Sequence, residues 1–133
     1  MSDGGKVGIV LVSHSAALAS GAAELAGQVG GGMTVVPAGG TDDDRLGTSI
    51  AKVRAAITAA DDGAGVVILP DLGSSVLTVR ALLAEDGDLP GPIAVADAPF
   101  VEGAVAATIA AAVGGDVKTV LAAAEEARHA RKL

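Results

Sequence analysis

Two side chains carry the chemistry of a nucleophile and its orienting partner. His14 follows a continuous apolar run, Val7-Gly8-Ile9-Val10-Leu11-Val12, and precedes a helical pattern. Its imidazole, with an ordinary pKa of about 6.5, can act as a nucleophile at neutral pH. A phosphoryl group on that ring would lie near a helix N-terminus, where free N–H groups and the positive end of the dipole favour phosphate oxygens. Asp71 ends a second buried run, in Pro70-Asp71-Leu72-Gly73. A carboxylate beside an imidazole binds one ring N–H, fixes the tautomer and leaves the other nitrogen free to attack. The same positions also suit a capping or surface histidine and an N-cap or turn aspartate.

Further polar groups fall at comparable places. Ser13 and Ser15 flank His14, while Gly73-Ser74-Ser75 follows Asp71 and offers backbone and hydroxyl donors to a phosphate. Thr48, in Gly47-Thr48-Ser49, is a further possible donor, although simple capping explains it equally well. Asp42-Asp43-Asp44 reads as a solvated acidic turn rather than a cation site, because no further ligand spacing supports one. His129 lies among Arg128, Arg131 and Lys132 and reads as a solvated face. A Walker motif, a G-x-G-x-x-G after the first strand, a G-x-S-x-G elbow and a zinc spacing are all missing from the sequence. This inventory fits a phosphate acceptor that binds no nucleotide itself, with no cofactor and no metal.

The elements that must hold these residues follow from periodicity. Val7–Val12, Met33–Ala38 (cut by Pro37), Val66–Leu69 and Ile93–Ala96 read as strands. Between them, helical patterns place Leu18, Ala22, Leu25, Ala26 and Val29 on one inward face, then Ile50, Val53, Ala56 and Ile57, then Val76, Val79, Leu82 and Leu83. Thr48 or Ser49 starts the second helix, and Ser74 or Ser75 the third. A fourth helix spans about Phe100 to Val113. The last, capped by Asp116, runs from Val117 to about Arg131 with Val117, Val120, Leu121 and Ala124 on one face. The order β-α-β-α-β-α-β-α-α predicts one α/β domain over residues 1–133: a mainly parallel four-stranded sheet with helices on both faces, Rossmann-like and three-layered. Ligand sites in such sheets lie beyond the carboxyl ends of the strands, where Ser13–Ser15, Gly39–Gly47, Pro70–Ser75 and Asp97–Pro99 all arrive.

Composition bounds the rest. With 133 residues, 50% hydrophobic but only 1% aromatic, the core must be built from Ala, Val, Leu and Ile. The formal charge of −7, without a basic stripe, argues against nucleic-acid binding. Having no cysteine, the chain cannot form disulfides or use a thiolate. No apolar run approaches the roughly 20 residues of a membrane span, and Met1–Lys6 lacks the charged and apolar regions of a leader. The expectation is a cytoplasmic protein with no membrane partner.

The motifs also carry a resemblance. Gly8-Ile9-Val10-Leu11-Val12-Ser13-His14-Ser15, Gly47-Thr48-Ser49, Asp71-Leu72-Gly73-Ser74 and Ala98-Pro99-Phe100-Val101-Glu102-Gly103-Ala104 occur in the order and spacing of the DhaM family. DhaM is the phosphotransfer subunit of phosphoenolpyruvate-dependent dihydroxyacetone kinase, with the mannose-type EIIA fold of the bacterial phosphotransferase system. The resemblance runs from Lys6 to about Ala127. It implies phosphorylation of His14 on Nε2, a ring oriented by Asp71, and a homodimer. It also implies a phosphohistidine carrier (HPr) as donor and transfer to ADP on a nucleotide-binding kinase subunit, while another subunit holds dihydroxyacetone. Sugar-specific EIIA domains carry Gly-Thr-His-Gly and Asp-x-Trp-Gly-Gly-Ser-Pro instead; Ser-His-Ser, Asp-Leu-Gly-Ser and the lack of Trp favour the dihydroxyacetone branch. Phe100 departs mildly from an expected Leu. Some members continue into carrier and enzyme I-like domains, so the expectation for this chain is a separate donor protein. A sugar-transport EIIA domain and a non-catalytic regulatory module of the same fold are the competing readings.

Overall fold

The computed structural model describes residues 5–133; Met1–Gly4, part of the segment read above for leader features, lie outside them. The chain folds as β1 (Gly8–Ser13), α1 (Ala16–Val29), β2 (Val35–Gly39), α2 (Ile50–Ala60) and β3 (Val66–Pro70). It continues as α3 (Gly73–Glu85), β4 (Ile93–Val95), α4 (Phe100–Ala112), α5 (Val117–Glu126) and a 3₁₀ turn, Ala127–His129. The strands form one parallel sheet in the order β2-β1-β3-β4.

Covering both faces of the sheet explains its continuous apolar strands, because successive side chains point to opposite sides. Ile9, Leu11, Val67 and Leu69 pack with Ala22, Ala23, Ala26, Ala104, Ala107 and Ala111 beneath α1, α4 and α5. Val10, Val12, Val66 and Ile68 pack with Val53, Ala56, Ile57, Val79 and Leu82 beneath α2 and α3. Ser15, Ser49 and Asp116 cap α1, α2 and α5 by accepting the N–H of Leu18, Lys52 and Thr119.

The structure corrects several expectations. Pro37 does not cut β2, which passes through it with Leu11 opposite. β2 is an edge strand, and at an edge a missing N–H is tolerated. Leu18, Leu25 and Val29 do not face inward; they are 44%, 48% and 51% exposed, while Ala19, Ala22, Ala23 and Ala26 are buried. The cause is close approach. A Cβ on Gly39 would lie 2.5 Å from the Ser15 carbonyl oxygen and 2.8 Å from the Ala19 Cβ, so only methyl groups fit beneath α1. The last helix ends at Glu126 rather than near Arg131, tightening into the 3₁₀ turn, and β4 stops at Val95. Among the described residues, no helix is long and apolar enough to cross a membrane.

Candidate active site

The strand order places a topological switch between β1 and β3. The chain leaves β1 for α1 on one face and β3 for α3 on the other, opening a crevice where the two carboxyl ends diverge. His14 and Asp71 are the residues that emerge there. Pairing continues past the strand ends, since the Asp71 N–H donates to the Val12 carbonyl at 2.9 Å and the Gly40 N–H to the Ser13 carbonyl at 3.1 Å. A third loop is tied in by the Gly47 N–H, which donates to the His14 carbonyl at 2.8 Å. The backbone on both sides of the imidazole is thereby fixed.

Both oxygens of Asp71 are engaged. Oδ1 lies 3.0 Å from His14 Nδ1 and accepts the Leu72 N–H at 2.7 Å. Oδ2 accepts the Ser13 hydroxyl at 2.9 Å and the His14 N–H at 3.0 Å. Burial alone would raise the Asp71 pKa; the donated bonds from the His14 backbone, the Ser13 hydroxyl, the His14 ring and the Leu72 backbone outweigh it, and the net shift is downward. Asp71 is therefore an anion that only accepts, so Nδ1 must carry the ring proton and Nε2 the lone pair. The Ser74 Oγ lies 2.6 Å from Nε2 and, against a lone pair, donates its proton. The His14 side chain keeps 26% of its surface exposed and that of Asp71 8%, so the ring sits on an open rim with the carboxylate behind it.

The expected phosphate-stabilising groups separate. Ser74 touches the ring nitrogen and Gly73 opens α3 beside it; of that turn, the Ser75 N–H already donates to the Leu72 carbonyl at 3.0 Å. Ser15 adjoins the ring, but its oxygen caps α1. Ser13 is fully buried, with its hydroxyl on Asp71, which removes it from any phosphate on Nε2. The Thr48 hydroxyl does not reach for the ring; it pairs with that of Thr78 at 2.6 Å and joins the loop before α2 to α3. Sequence reasoning did not single out Thr78, which no motif marks. It read Ser75 as a possible helix start and, with Gly73 and Ser74, as a donor to a phosphate. Ser75 is buried and donates to the Leu72 carbonyl at 2.6 Å, holding the turn that presents Ser74.

The other candidates lie apart from this chemistry. Asp42 accepts from Ser49, Asp43 pairs with Arg45 and Asp44 with Lys52, so local partners take up the acidic turn. His129 is exposed in the 3₁₀ turn at the chain's far end.

Comparison with known proteins gives the family. Residues 8–121 match the EIIA-man family, described as the PTS system fructose IIA component. A DhaM phosphoryl donor subunit of PEP-dependent dihydroxyacetone kinase from Providencia stuartii is 37% identical, over 95% of this chain and 28% of its own length. That from Escherichia coli K12 is 36% identical over the same shares. The chain thus spans little more than a quarter of these relatives. A shorter DhaM, from the dihydroxyacetone kinase 2 of Listeria innocua, is 33% identical over 86% of this chain and 94% of its own. A crystal structure described as a protein of unknown function superposes with a TM-score of 0.78 at 35% identity, covering 91% of this chain and 94% of that one. A sigma-54 interaction domain protein from Enterococcus faecalis shares the fold at a TM-score of 0.68 and 16% identity. With a family match across nearly all of its elements and a full-length relative in one branch, this chain belongs to the mannose-type EIIA family and, within it, to the DhaM phosphoryl donor subunits.

Proposed function

We propose that this protein is a phosphohistidine carrier of the cytoplasm. It accepts a phosphoryl group on His14 Nε2 from HPr and delivers it to ADP held on the nucleotide-binding subunit of a dihydroxyacetone kinase, next to the subunit that holds dihydroxyacetone. The observation that carries this reading is the polarised ring: a carboxylate accepts from Nδ1 while Nε2, on a partly exposed ring, meets the hydroxyl of Ser74. In the acceptor step the Nε2 lone pair forms a bond to phosphorus as the donor's N–P bond breaks, its electron pair leaving on the donor nitrogen. The ring, still protonated at Nδ1, becomes cationic, and the Asp71 carboxylate balances that charge. The Ser74 hydroxyl and the N–H groups of Gly73 and Ser74 at the start of α3 meet the phosphoryl oxygens. Delivery to ADP runs the same bond changes with the β-phosphate oxygen as nucleophile. The chain acts as a phosphotransferase subunit, modified and restored in each cycle, and works as a homodimer.

Incubation with phosphoenolpyruvate, enzyme I and HPr should label wild-type protein at one histidine, acid-labile and base-stable, and His14→Gln should remain unlabelled by mass spectrometry. Labelling of the His14→Gln protein would refute the assignment. Discharge of the phosphoprotein by an ADP-loaded kinase subunit, and not by a sugar-transport EIIB domain, separates the dihydroxyacetone branch from its sugar-specific relatives. A protein that takes no phosphoryl group at all would be the regulatory module.

A further inference from the structure

We infer that Ser13 is a positioning residue, whose buried hydroxyl locks the Asp71 carboxylate in the orientation that holds the ring of His14. Its place in the network leaves one arrangement of protons. A serine hydroxyl has one proton and two lone pairs. The Ser15 N–H, which can only donate, points at Ser13 Oγ from 3.0 Å. The Asp71 carboxylate, which only accepts, lies on the other side at 2.9 Å. The Ser13 proton therefore goes to Oδ2. That bond and the His14 N–H hold Oδ2 inward, which turns Oδ1 outward to Nδ1 of the ring. Ser13 is 0% exposed, so bulk water does not compete for either bond. It ends β1, and the N–H it accepts opens the turn into α1. The hydroxyl thus joins the start of α1 to the carboxylate at the end of β3, across the crevice that holds the ring.

Acting through Asp71 and not at the surface, Ser13 governs the rate of transfer within the docked pair and not the docking itself. Without its hydroxyl, Oδ2 keeps only the His14 N–H, the carboxylate is held less firmly against the ring, and the two neutral tautomers of the ring mix.

The inference rests on the phosphocarrier reading for its rate measurements, but the ring can be observed without any phosphate. In ¹⁵N-histidine spectra of unphosphorylated protein, wild type should show His14 protonated at Nδ1, and Ser13→Ala should show a mixture. Ser13→Thr, which keeps the hydroxyl, should restore the wild-type signals. In labelling by phosphorylated HPr, Ser13→Ala should lower kcat about tenfold and leave KM unchanged. In an Asp71→Asn background, the same substitution should have no further effect, because the group it acts through is already gone. An unchanged ring spectrum in folded Ser13→Ala would overturn the inference, and so would an equal loss of rate in the two backgrounds. If Ser13→Ala does not fold, Ser13→Cys, close in size and a weak donor, replaces it under the same criteria. Failure of wild type to take a phosphoryl group would strike the phosphocarrier reading and leave the spectral test of Ser13 standing.

Discussion

Asp71 shows how position converts an ordinary side chain into a tool. Its carboxylate accepts from both sides of the crevice, so its negative charge is fixed where the proposed phosphoryl transfer would leave an imidazolium at His14. Asp71→Asn keeps the shape and removes the charge; its amide group also meets donors that expect an oxygen. We expect a loss of about 100-fold in labelling rate, in the range seen for a misplaced acid–base partner, with unfolding still cooperative. The same residue links stability to acidity. Its folded pKa lies below the unfolded value, so its contribution is complete above the unfolded pKa and is lost as pH falls through the folded one. Thermal melts should show wild type losing stability more steeply than Asp71→Asn below about pH 4, where carboxylates titrate; parallel curves would contradict this. His14 and Asp71 were legible in the sequence because each directly follows a buried strand at the edge where sites gather. Ser13 was legible as a neighbour and misread in role. Its distance from solvent and the direction of its proton depend on the Ser15 N–H and on a carboxylate from another strand, which no local pattern records.

The elements were legible to the extent that periodicity determines them. Strand order along the chain, the helices between the strands, and the caps at Ser49 and Asp116 all follow from apolar spacing and turn chemistry. The inward face of α1 was legible only at Ala22 and Ala26, because the sequence pattern also favours the large residues Leu18, Leu25 and Val29 while the packing distance admits only alanines. That distance is set at Gly39, at the end of the neighbouring strand, and it supplies a prediction at this scale. Gly39→Ala puts a methyl group 2.5 Å from the Ser15 carbonyl oxygen and 2.8 Å from the Ala16 Cα, both backbone atoms that cannot simply rotate away. The start of α1 must shift, and Ser15 with it. Chemical denaturation should report a loss of about 1–3 kcal/mol, the usual cost of overpacking. Labelling should slow as well, because the displaced turn is the one that carries His14. A variant as stable and as fast as wild type would mean that α1 is free to move away from the sheet.

At the scale of the whole molecule, the sheet order produces both the site and an unfilled surface. The reversal between β1 and β3 opens the crevice and sends α1, with α4 and α5, to one face and α2 and α3 to the other. Because α1 buries its alanines, its larger side chains are turned outward, and α4 does the same. Val101 and Ile109 are exposed on α4 and Val113 just after it, as Leu18, Leu25 and Val29 are on α1. The two helices cover the same side of the sheet and meet where a side chain on Gly30 would touch the Thr108 methyl. Exposed aliphatic side chains also occur elsewhere, at Leu46, Leu72 and Leu77, but those on α1 and α4 belong to one layer, and a symmetric dimer can cover such a layer with a second copy of itself. As a prediction, the proposed homodimer is seated on this layer, on the outer faces of α1 and α4. Leu25→Glu and Ile109→Glu, alone and together, should leave the melting profile within about 0.5 kcal/mol of wild type, as exposed substitutions do. In sedimentation equilibrium the double variant should behave as a monomer while the wild type sediments as a dimer. If both sediment alike as dimers, the second copy binds elsewhere; if wild type itself is monomeric at tens of micromolar, there is no homodimer to seat. His14 should still be labelled in the monomeric variant, since each copy holds its own Asp71 and Ser74 around the ring.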